Sequence, residues 1–139
     1  MTDAVNKNFQ LEILTPDKKV FSGKVTYVKA PGAEGYFGIL FNHAPMLAAL
    51  QIGELEIETH NQRQFFAISG GFLEVLHNHV RLLAETAEST QSIDITRAKA
   101  ARERAEKRLT AKAPEFDLDR AKLALLRALN RLKIAERKG

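Results

Sequence analysis

Phe72-Leu73-Glu74-Val75-Leu76-His77-Asn78-His79-Val80-Arg81-Leu82-Leu83 decides the first part of the fold, and Glu88-Ser89-Thr90-Gln91-Ser92-Ile93-Asp94-Ile95-Thr96-Arg97-Ala98 marks where that part gives way to another. In the first stretch two apolar runs flank the turn His77-Asn78-His79, which reads as a hairpin of half-buried strands. In the second, the polar, serine-rich segment Glu88 to Ser92 is a candidate hinge. Past it, Ile95, Ala98, Ala101, Ala105 and Leu109 recur at spacings of three and four, which is helical, with Ser92 or Asp94 available as the N-cap.

Toward the N-terminus the period stays at two. Phe9, Leu11 and Ile13 alternate with Gln10, Glu12 and Leu14 up to the breaker Pro16-Asp17, and Val20-Phe21 lead to Ser22-Gly23. Val25 and Tyr27, with Lys29 or Val28, continue to Pro31-Gly32. Leu55 and Ile57 alternate with Glu54, Glu56 and Glu58, His60-Asn61-Gln62 makes a turn, and Phe65-Phe66-Ala67-Ile68 follows. Gly70-Gly71 predicts a bulge or a close backbone approach. Eight to ten short strands without an intervening long helix predict a sandwich or flattened barrel rather than a parallel sheet.

Toward the C-terminus Pro114 ends the first helix and Asp117 is a candidate cap for a second, whose apolar positions are Leu118, Ala121, Leu125, Ala128 or Leu129, Leu132 and Ala135. A short connection predicts an antiparallel hairpin. Alanine dominates the inner face of its first helix, so the backbones can approach closely while burying little apolar area. A hairpin of that kind is marginally stable, the physical precondition for a switch.

Composition bounds the function. At 139 residues, 45% hydrophobic and 27% charged, the chain is a globular protein of one domain or of one domain with an appendage. It contains no cysteine, which removes disulfide frameworks, thiolate metal sites and a Cys nucleophile. No window approaches a membrane span, and MTDAVNKNFQ has neither a signal-peptide core nor transit-peptide character, so the expected location is cytoplasmic. Residues 1–96 hold 7 Lys+Arg against 11 Asp+Glu, whereas residues 97–139 hold 14 against 6, so the tail is the part suited to an anionic partner.

Enzymatic signals are weak: the chain has no phosphate loop, dinucleotide fingerprint, nucleophile elbow or paired-histidine zinc motif. His77 and His79 read as exposed turn residues rather than metal ligands, and Glu54, Glu56 and Glu58 as a solvated strand face rather than an acid–base site. The arginines of the tail, among them Arg97, Arg104, Arg108, Arg120, Arg127 and Arg131, suit phosphate or carboxylate. A nucleic-acid-binding module with a basic helical hairpin is the alternative, although only Phe116 among the tail residues could stack a base.

Five ordered motifs carry a resemblance. They are Thr15-Pro16 with Val20-Phe21-Ser22-Gly23; Ala30-Pro31-Gly32-Ala33-Glu34-Gly35-Tyr36-Phe37-Gly38-Ile39-Leu40; His43-Ala44-Pro45-Met46-Leu47; Ser69-Gly70-Gly71-Phe72-Leu73-Glu74-Val75; and Leu83-Ala84-Glu85-Thr86-Ala87-Glu88. Together the chain resembles the epsilon-subunit family of bacterial F-type ATP synthase over nearly its whole length. The resemblance implies an N-terminal ten-stranded β-sandwich (1-88) that binds the rotor and a C-terminal antiparallel α-helical hairpin (89-139) that regulates. It further implies a non-catalytic subunit that links gamma to the c-ring, meets alpha and beta when the hairpin is extended, binds no nucleic acid and touches the membrane only through the complex, at its cytoplasmic face.

Ile93-Asp94-Ile95-Thr96-Arg97-Ala98 is similar to the motif that ATP-binding members carry on this hairpin. The resemblance implies ATP as a regulatory ligand, with no metal required, held by Glu88, Ile93, Asp94, Arg97, Ala98, Arg104, Arg127 and Arg131. Asp94 at a helix start can cap amides and accept from a base amine or a sugar hydroxyl, Ile93 offers an apolar contact, and Arg97 returns one turn later. Partner contacts are expected at Glu34, Tyr36, Phe37 and His43, on one face of the sandwich. Tyr36 stands where many relatives carry an acidic residue, which points to a more apolar contact.

Overall fold

The computed structural model describes residues 7–60, 62–111 and 114–137, apart from the side chain of residue 116. Eight strands are present among them: β1 (Phe9–Leu14), β2 (Lys19–Val25), β3 (Tyr27–Gly32), β4 (Gly35–Ile39), β5 (Met46–Thr59), β6 (Gln62–Leu76), β7 (His79–Ala84) and β8 (Ala87–Ser89). A 3-10 turn over Thr90–Ser92 leads to α1 (Ile95–Thr110) and α2 (Glu115–Ala135). The hydrogen-bonded order is β2-β1-β7-β6-β5-β3-β4, with β8 also pairing with β6. All pairings are antiparallel except β1 with β7.

Among the described residues the sandwich therefore has eight strands and not ten. β5 and β6, of 14 and 15 residues, each run through positions where two shorter strands would be counted. Gly70 and Gly71 interrupt the apolar run, yet they bend the chain without ending its pairing: Leu50 faces Gly71 and Ile52 faces Ser69 in one register. Gly71 has φ +134, and a Cβ there would lie 2.0 Å from the Leu83 carbonyl oxygen. Only glycine combines that backbone conformation with so close an approach.

The period-two alternation produces the core directly. Phe9, Leu11, Ile13, Leu55, Ile57, Leu73, Val75, Val80 and Leu82 all turn inward and are buried. Phe21 from β2 meets Phe66 from β6 edge to face at 6.3 Å, joining the two walls across the interior. Removing a Leu, Ile or Phe side chain from water contributes about 1.5–3 kcal/mol each, so this cluster dominates the stability of the domain. The tight turn His77-Asn78 has φ of 48° and 60°, the mirror-image geometry that suits two-residue hairpins, and His79 already belongs to β7. His60 has φ +40, whereas Asn61 of the other expected turn lies outside the described residues.

On β6 the burial pattern changes at the glycines. Beyond them buried and exposed residues alternate from Phe72 to Leu76, but Phe65 to Ser69 are all buried, so that half is covered on both faces. Phe66 and Ile68 belong to the sandwich core, whereas Phe65 and Ala67 join Ile93 and Ile134 in a second cluster beneath α2. The neighbouring acidic face of β5 is covered as well, which corrects its reading as a solvated face. Glu56 is buried and paired with Arg63, and Glu54 receives two hydrogen bonds from Arg137.

Asp94 caps α1, its carboxylate accepting from the Arg97 amide at 3.0 Å. Ile95, one residue later, is exposed and not part of the inner stripe. The second helix departs from expectation at its start: Pro114 is the N-cap, and Asp117 falls inside the first turn, where a carboxylate complements the helix dipole. Buried Ala98 and Ala105 on α1 and Ala121 and Ala128 on α2 form the small-residue seam of the hairpin. Leu123, Leu126 and Leu129 of α2 remain exposed.

Candidate functional site

A cleft of about 670 Å³ lies between the sandwich and α1. Its hairpin wall contains Asp94, Arg97, Ala98, Ala101 and Arg104, with Arg131 reaching in from α2. Its sandwich wall contains Thr15, Asp17 and Lys18 from the β1–β2 turn, together with Glu85, Thr86, Ala87 and Glu88. Six of the eight residues expected to hold a nucleotide thus share one cavity: Glu88, Asp94, Arg97, Ala98, Arg104 and Arg131. Its volume falls within the range of small-molecule sites, roughly 300–1,000 Å³.

The segment expected to be a hinge forms part of this architecture. Ala87–Ser89 pairs with β6, Thr90 donates its hydroxyl to the Phe65 carbonyl at 3.3 Å, and Glu88 forms an ion pair with Arg131. That pair ties the sandwich to α2 along the edge of the cleft.

Two expected residues lie elsewhere. Ile93 is buried against Phe65, Ala67 and Ile134 and does not line the cleft, because the chain turns it under α2 before Asp94 caps the next helix. Arg127 lines a separate groove of about 620 Å³ with Leu123, Leu126 and Leu129, and reaches only a narrow seam shared with Arg131, Ser69 and Thr86. It sits one helical turn before Arg131, about 6 Å along the axis, which takes it past the end of the cleft.

The electrostatics of the cleft follow from which charges are already engaged. Arg131 is neutralised by Glu88, and the Asp94 carboxylate is occupied as a cap. Lys18, Arg97 and Arg104 form no ion pair among the described residues, while Asp17 and Glu85 supply acidic groups on the same walls. The cavity suits a ligand with an anionic end and a hydroxyl- or amine-bearing end better than a bare anion. Among the described residues no group of three or more His, Asp or Glu side chains is placed to hold a metal.

Sequence reasoning missed Thr15, Asp17 and Lys18 as site residues: Pro16-Asp17 reads only as a strand breaker, Thr15 only as part of a family motif, and Lys18 carries no signal of its own. The parallel pairing of β1 with β7 sets Leu14 opposite Leu83, and the β1–β2 turn therefore emerges level with Glu85 and Thr86. No local pattern announces a pairing between segments nearly seventy residues apart.

The expected partner contacts are dispersed. Glu34 and Tyr36 are exposed near the tip of the β3–β4 hairpin, with Tyr36 at 49%. The Tyr36 hydroxyl accepts from the Glu54 amide at 3.0 Å, and the Lys29 ammonium stands 5.4 Å from the ring centre. Phe37 does not face outward with it: consecutive strand residues point to opposite faces, and Phe37 packs half-buried against the core. His43 is half-buried, with its ring Nδ1 2.8 Å from the Ala44 carbonyl. It lies beside the Asn42–Asn78 side-chain pair, at the β6–β7 turn. That end and Tyr36 are separated along β5 by the run from Met46 to Gly53, roughly 23 Å of strand.

One further polar cluster stands apart. Glu12 on β1 accepts from His79 at 2.9 Å and lies near Lys19 and Arg81, and the hydrogen bond from His79, reinforced by the two cations, holds its carboxyl below the usual carboxylate range.

Comparison with known proteins follows the same division of the chain. The family description "ATP synthase, Delta/Epsilon chain, beta-sandwich domain" matches residues 8–90, and "ATP synthase, Delta/Epsilon chain, long alpha-helix domain" matches residues 91–136. The chain is 48% identical over 130 residues to the ATP synthase epsilon chain of Desulforamulus reducens, covering 94% of this chain and 98% of that one. It is 42% identical over 129 residues to the ATP synthase epsilon chain of Bacillus licheniformis, covering 93% and 98%. A chain in the cryo-EM structure of the Euglena gracilis mitochondrial ATP synthase superposes with a TM-score of 0.80 at 23% identity, covering 94% of this chain and 82% of that chain. That likeness shows the fold. Among the described residues no helix is long and apolar enough to cross a membrane.

Proposed function

The chain belongs to the ATP synthase delta/epsilon chain family, and on that premise we propose that it is a non-catalytic central-stalk subunit whose helical hairpin regulates ATP hydrolysis and binds ATP in the cleft. In this reading the sandwich links gamma to the c-ring at the cytoplasmic face of the membrane, as a peripheral part of the complex. The hairpin alternates between the packed arrangement and an extended one that meets alpha and beta and blocks hydrolysis.

The observation that carries the reading is the convergence of Glu88, Asp94, Arg97, Ala98, Arg104 and Arg131 on one cavity between the two parts of the chain. A ligand held by both walls is compatible only with the packed hairpin. By mass action it favours that state by no more than its differential affinity. Arg97 and Arg104 face the phosphates, and Asp17, Glu85 and Asp94 face hydroxyls and the base amine. Arg127 stands outside the resting site, so Arg104→Ala weakens binding more than Arg127→Ala does. Against a nucleic-acid-binding hairpin, Arg131 and Arg137 are engaged by Glu88 and Glu54 of the sandwich, and Arg97 and Arg104 line the cleft.

Two measurements test the proposal. Calorimetry is expected to give saturable ATP binding without hydrolysis, and no heat at millimolar ATP removes the site. Hydrolysis by the reconstituted catalytic head is expected to be slower with the full chain than with a chain ending at Ser92, at low ATP only. Equal rates remove the inhibitory role. The cut belongs after Ser92 and not after Ala87, because β8 completes the pairing of β6. For the rotor contact, Glu34→Lys with Tyr36→Asp is expected to weaken assembly; Phe37 is left alone because it packs on the core.

A further inference from the structure

We infer that Lys18, on the β1–β2 turn of the sandwich, is a phosphate-binding residue of the cleft and the contact that makes binding of the ligand's anionic end depend on a docked hairpin. The inference rests on the nucleotide reading for the identity of the ligand, but it concerns a residue outside the motif that suggested that reading.

Three observations converge. The first is position: Lys18 lines the cleft from the wall opposite Arg97 and Arg104. The second is that its backbone is fixed. The Thr15 amide donates to the Lys18 carbonyl at 2.9 Å, the Thr15 hydroxyl donates to the same oxygen at 3.2 Å, and the Lys18 amide donates to the Thr15 hydroxyl at 3.3 Å. A turn closed by three hydrogen bonds presents its side chain from a defined origin while leaving the ammonium free to reach. The third is charge. Lys19, the next residue, is bound to Glu12 on the outer face, whereas Lys18 forms no ion pair among the described residues.

The physical consequence is a division of labour between the walls. Arg97 and Arg104 travel with α1, but Lys18 stays with the sandwich when the hairpin leaves. An anion held by arginines of the hairpin alone would bind packed and extended states alike, and a ligand with equal affinity for both shifts nothing. A cation on the sandwich wall supplies the difference in affinity. Asp17 beside it faces the same cavity, so the fitting ligand carries donors as well as phosphate: a nucleoside triphosphate rather than a simple anion.

The test is isothermal calorimetry on the full chain with ATP and, separately, inorganic tripolyphosphate, using wild type, Lys18→Gln and Lys18→Arg. Thermal melts monitor folding; the Lys18 side chain is exposed, so its replacement is expected to leave the melt unchanged. Lys18→Gln is expected to raise the ATP Kd about tenfold, the scale of one charge-assisted hydrogen bond, with Lys18→Arg restoring most of it. ATP binding with equal Kd in wild type and Lys18→Gln overturns the role of Lys18 and leaves the nucleotide reading standing. Tripolyphosphate binding that needs Lys18, in a chain that ignores ATP, supports Lys18 and removes the nucleotide reading. Failure of both ligands to bind wild type overturns both.

Discussion

Arg137, just past the end of α2, grips the sandwich at Glu54, and its removal is expected to release the hairpin more often without unfolding the strands. Its Nε and Nη2 donate to the two Glu54 carboxylate oxygens at 2.8 and 2.9 Å, and the guanidinium lies 4.8 Å from the centre of the Phe65 ring. The Glu54 side chain is only 12% exposed and that of Arg137 42%, so the pair is partly shielded. The Glu54 carboxylate beside it raises the Arg137 pKa further, and the guanidinium stays charged at any working pH. Half-exposed bidentate geometry places the pair near about 1 kcal/mol, the upper end of surface ion pairs. The ring contact adds about 0.5–1 kcal/mol. Together they amount to about 1.5–2 kcal/mol, or an increase of about 10- to 30-fold in the detached fraction of Arg137→Ala. The chain has no cysteine, so Lys24→Cys and Lys122→Cys, both exposed, accept a donor–acceptor pair that reports docking by energy transfer. Hydrogen exchange at α2 amides gives a label-free check. Arg137→Lys keeps the charge but loses the fork and is expected to fall between the two. In about 1 M salt, where the Debye length shrinks to about 3 Å, wild type moves toward the mutant. An unchanged detached fraction in Arg137→Ala at low salt refutes the argument, as does additivity of Arg137→Ala and Glu54→Gln in a double-mutant cycle.

Gly71→Ala is expected to destabilise the sandwich by roughly 3 kcal/mol or more, seen as a lower urea midpoint, because a Cβ at φ +134 collides with the Leu83 carbonyl. Ala121→Leu forces bulk into the fully buried helix–helix seam, and overpacking of about 1–3 kcal/mol is expected to lower α1 and α2 exchange protection while leaving the strand amides protected. Glu12 has a folded pKa below its unfolded value, so the stability it contributes is present above the ordinary value of 4.5 and is lost as pH falls through the folded pKa. Glu12→Gln is therefore expected to flatten the acid limb of the stability–pH curve, and an unchanged limb counts against the role of the His79 contact.

The strands were legible because a half-buried strand writes its environment into every second residue: Phe9, Leu11 and Ile13 point inward as their alternation predicts. The same logic misreads Glu54 and Glu56. A polar face at period two looks alike whether it meets water or arginines of a neighbouring strand and a packed hairpin, and only the unbroken run Phe65 to Ile68 signalled that this part of the sheet has two covered faces. The cleft was legible on the hairpin side, where Asp94, Arg97 and Ala98 are local to one helix start. It was illegible on the sandwich side, where the pairing of β1 with β7 decides what faces the hairpin. Arg127 shows the limit of helical periodicity: a spacing of four keeps it on nearly the same face as Arg131 but one turn away from the cavity.

The forces that hold the hairpin down differ in kind from those inside the sandwich, and that difference sets what a ligand can do. The sandwich rests on a continuous apolar cluster drawn from all eight of its described strands. The hairpin rests on one small apolar patch, Ile134 against Phe65, Ala67 and Ile93, and on three polar clasps: Arg137 on Glu54, Arg131 on Glu88, and the Asn130 amide donating to the Gly53 carbonyl at 2.9 Å. Each clasp is worth about 1–2 kcal/mol, the Arg137 clasp the most because of its ring contact, so losing one shifts the docking equilibrium without touching the core. A ligand at a hundred times its Kd, bound only to the packed state, adds about 2.7 kcal/mol, more than any single clasp. Its gain exceeds that of the Arg137 clasp by only about 1 kcal/mol on this scale, so saturating ATP is expected to restore docking in Arg137→Ala. In Lys18→Gln, where the Kd rises about tenfold, the same ATP concentration restores it less completely.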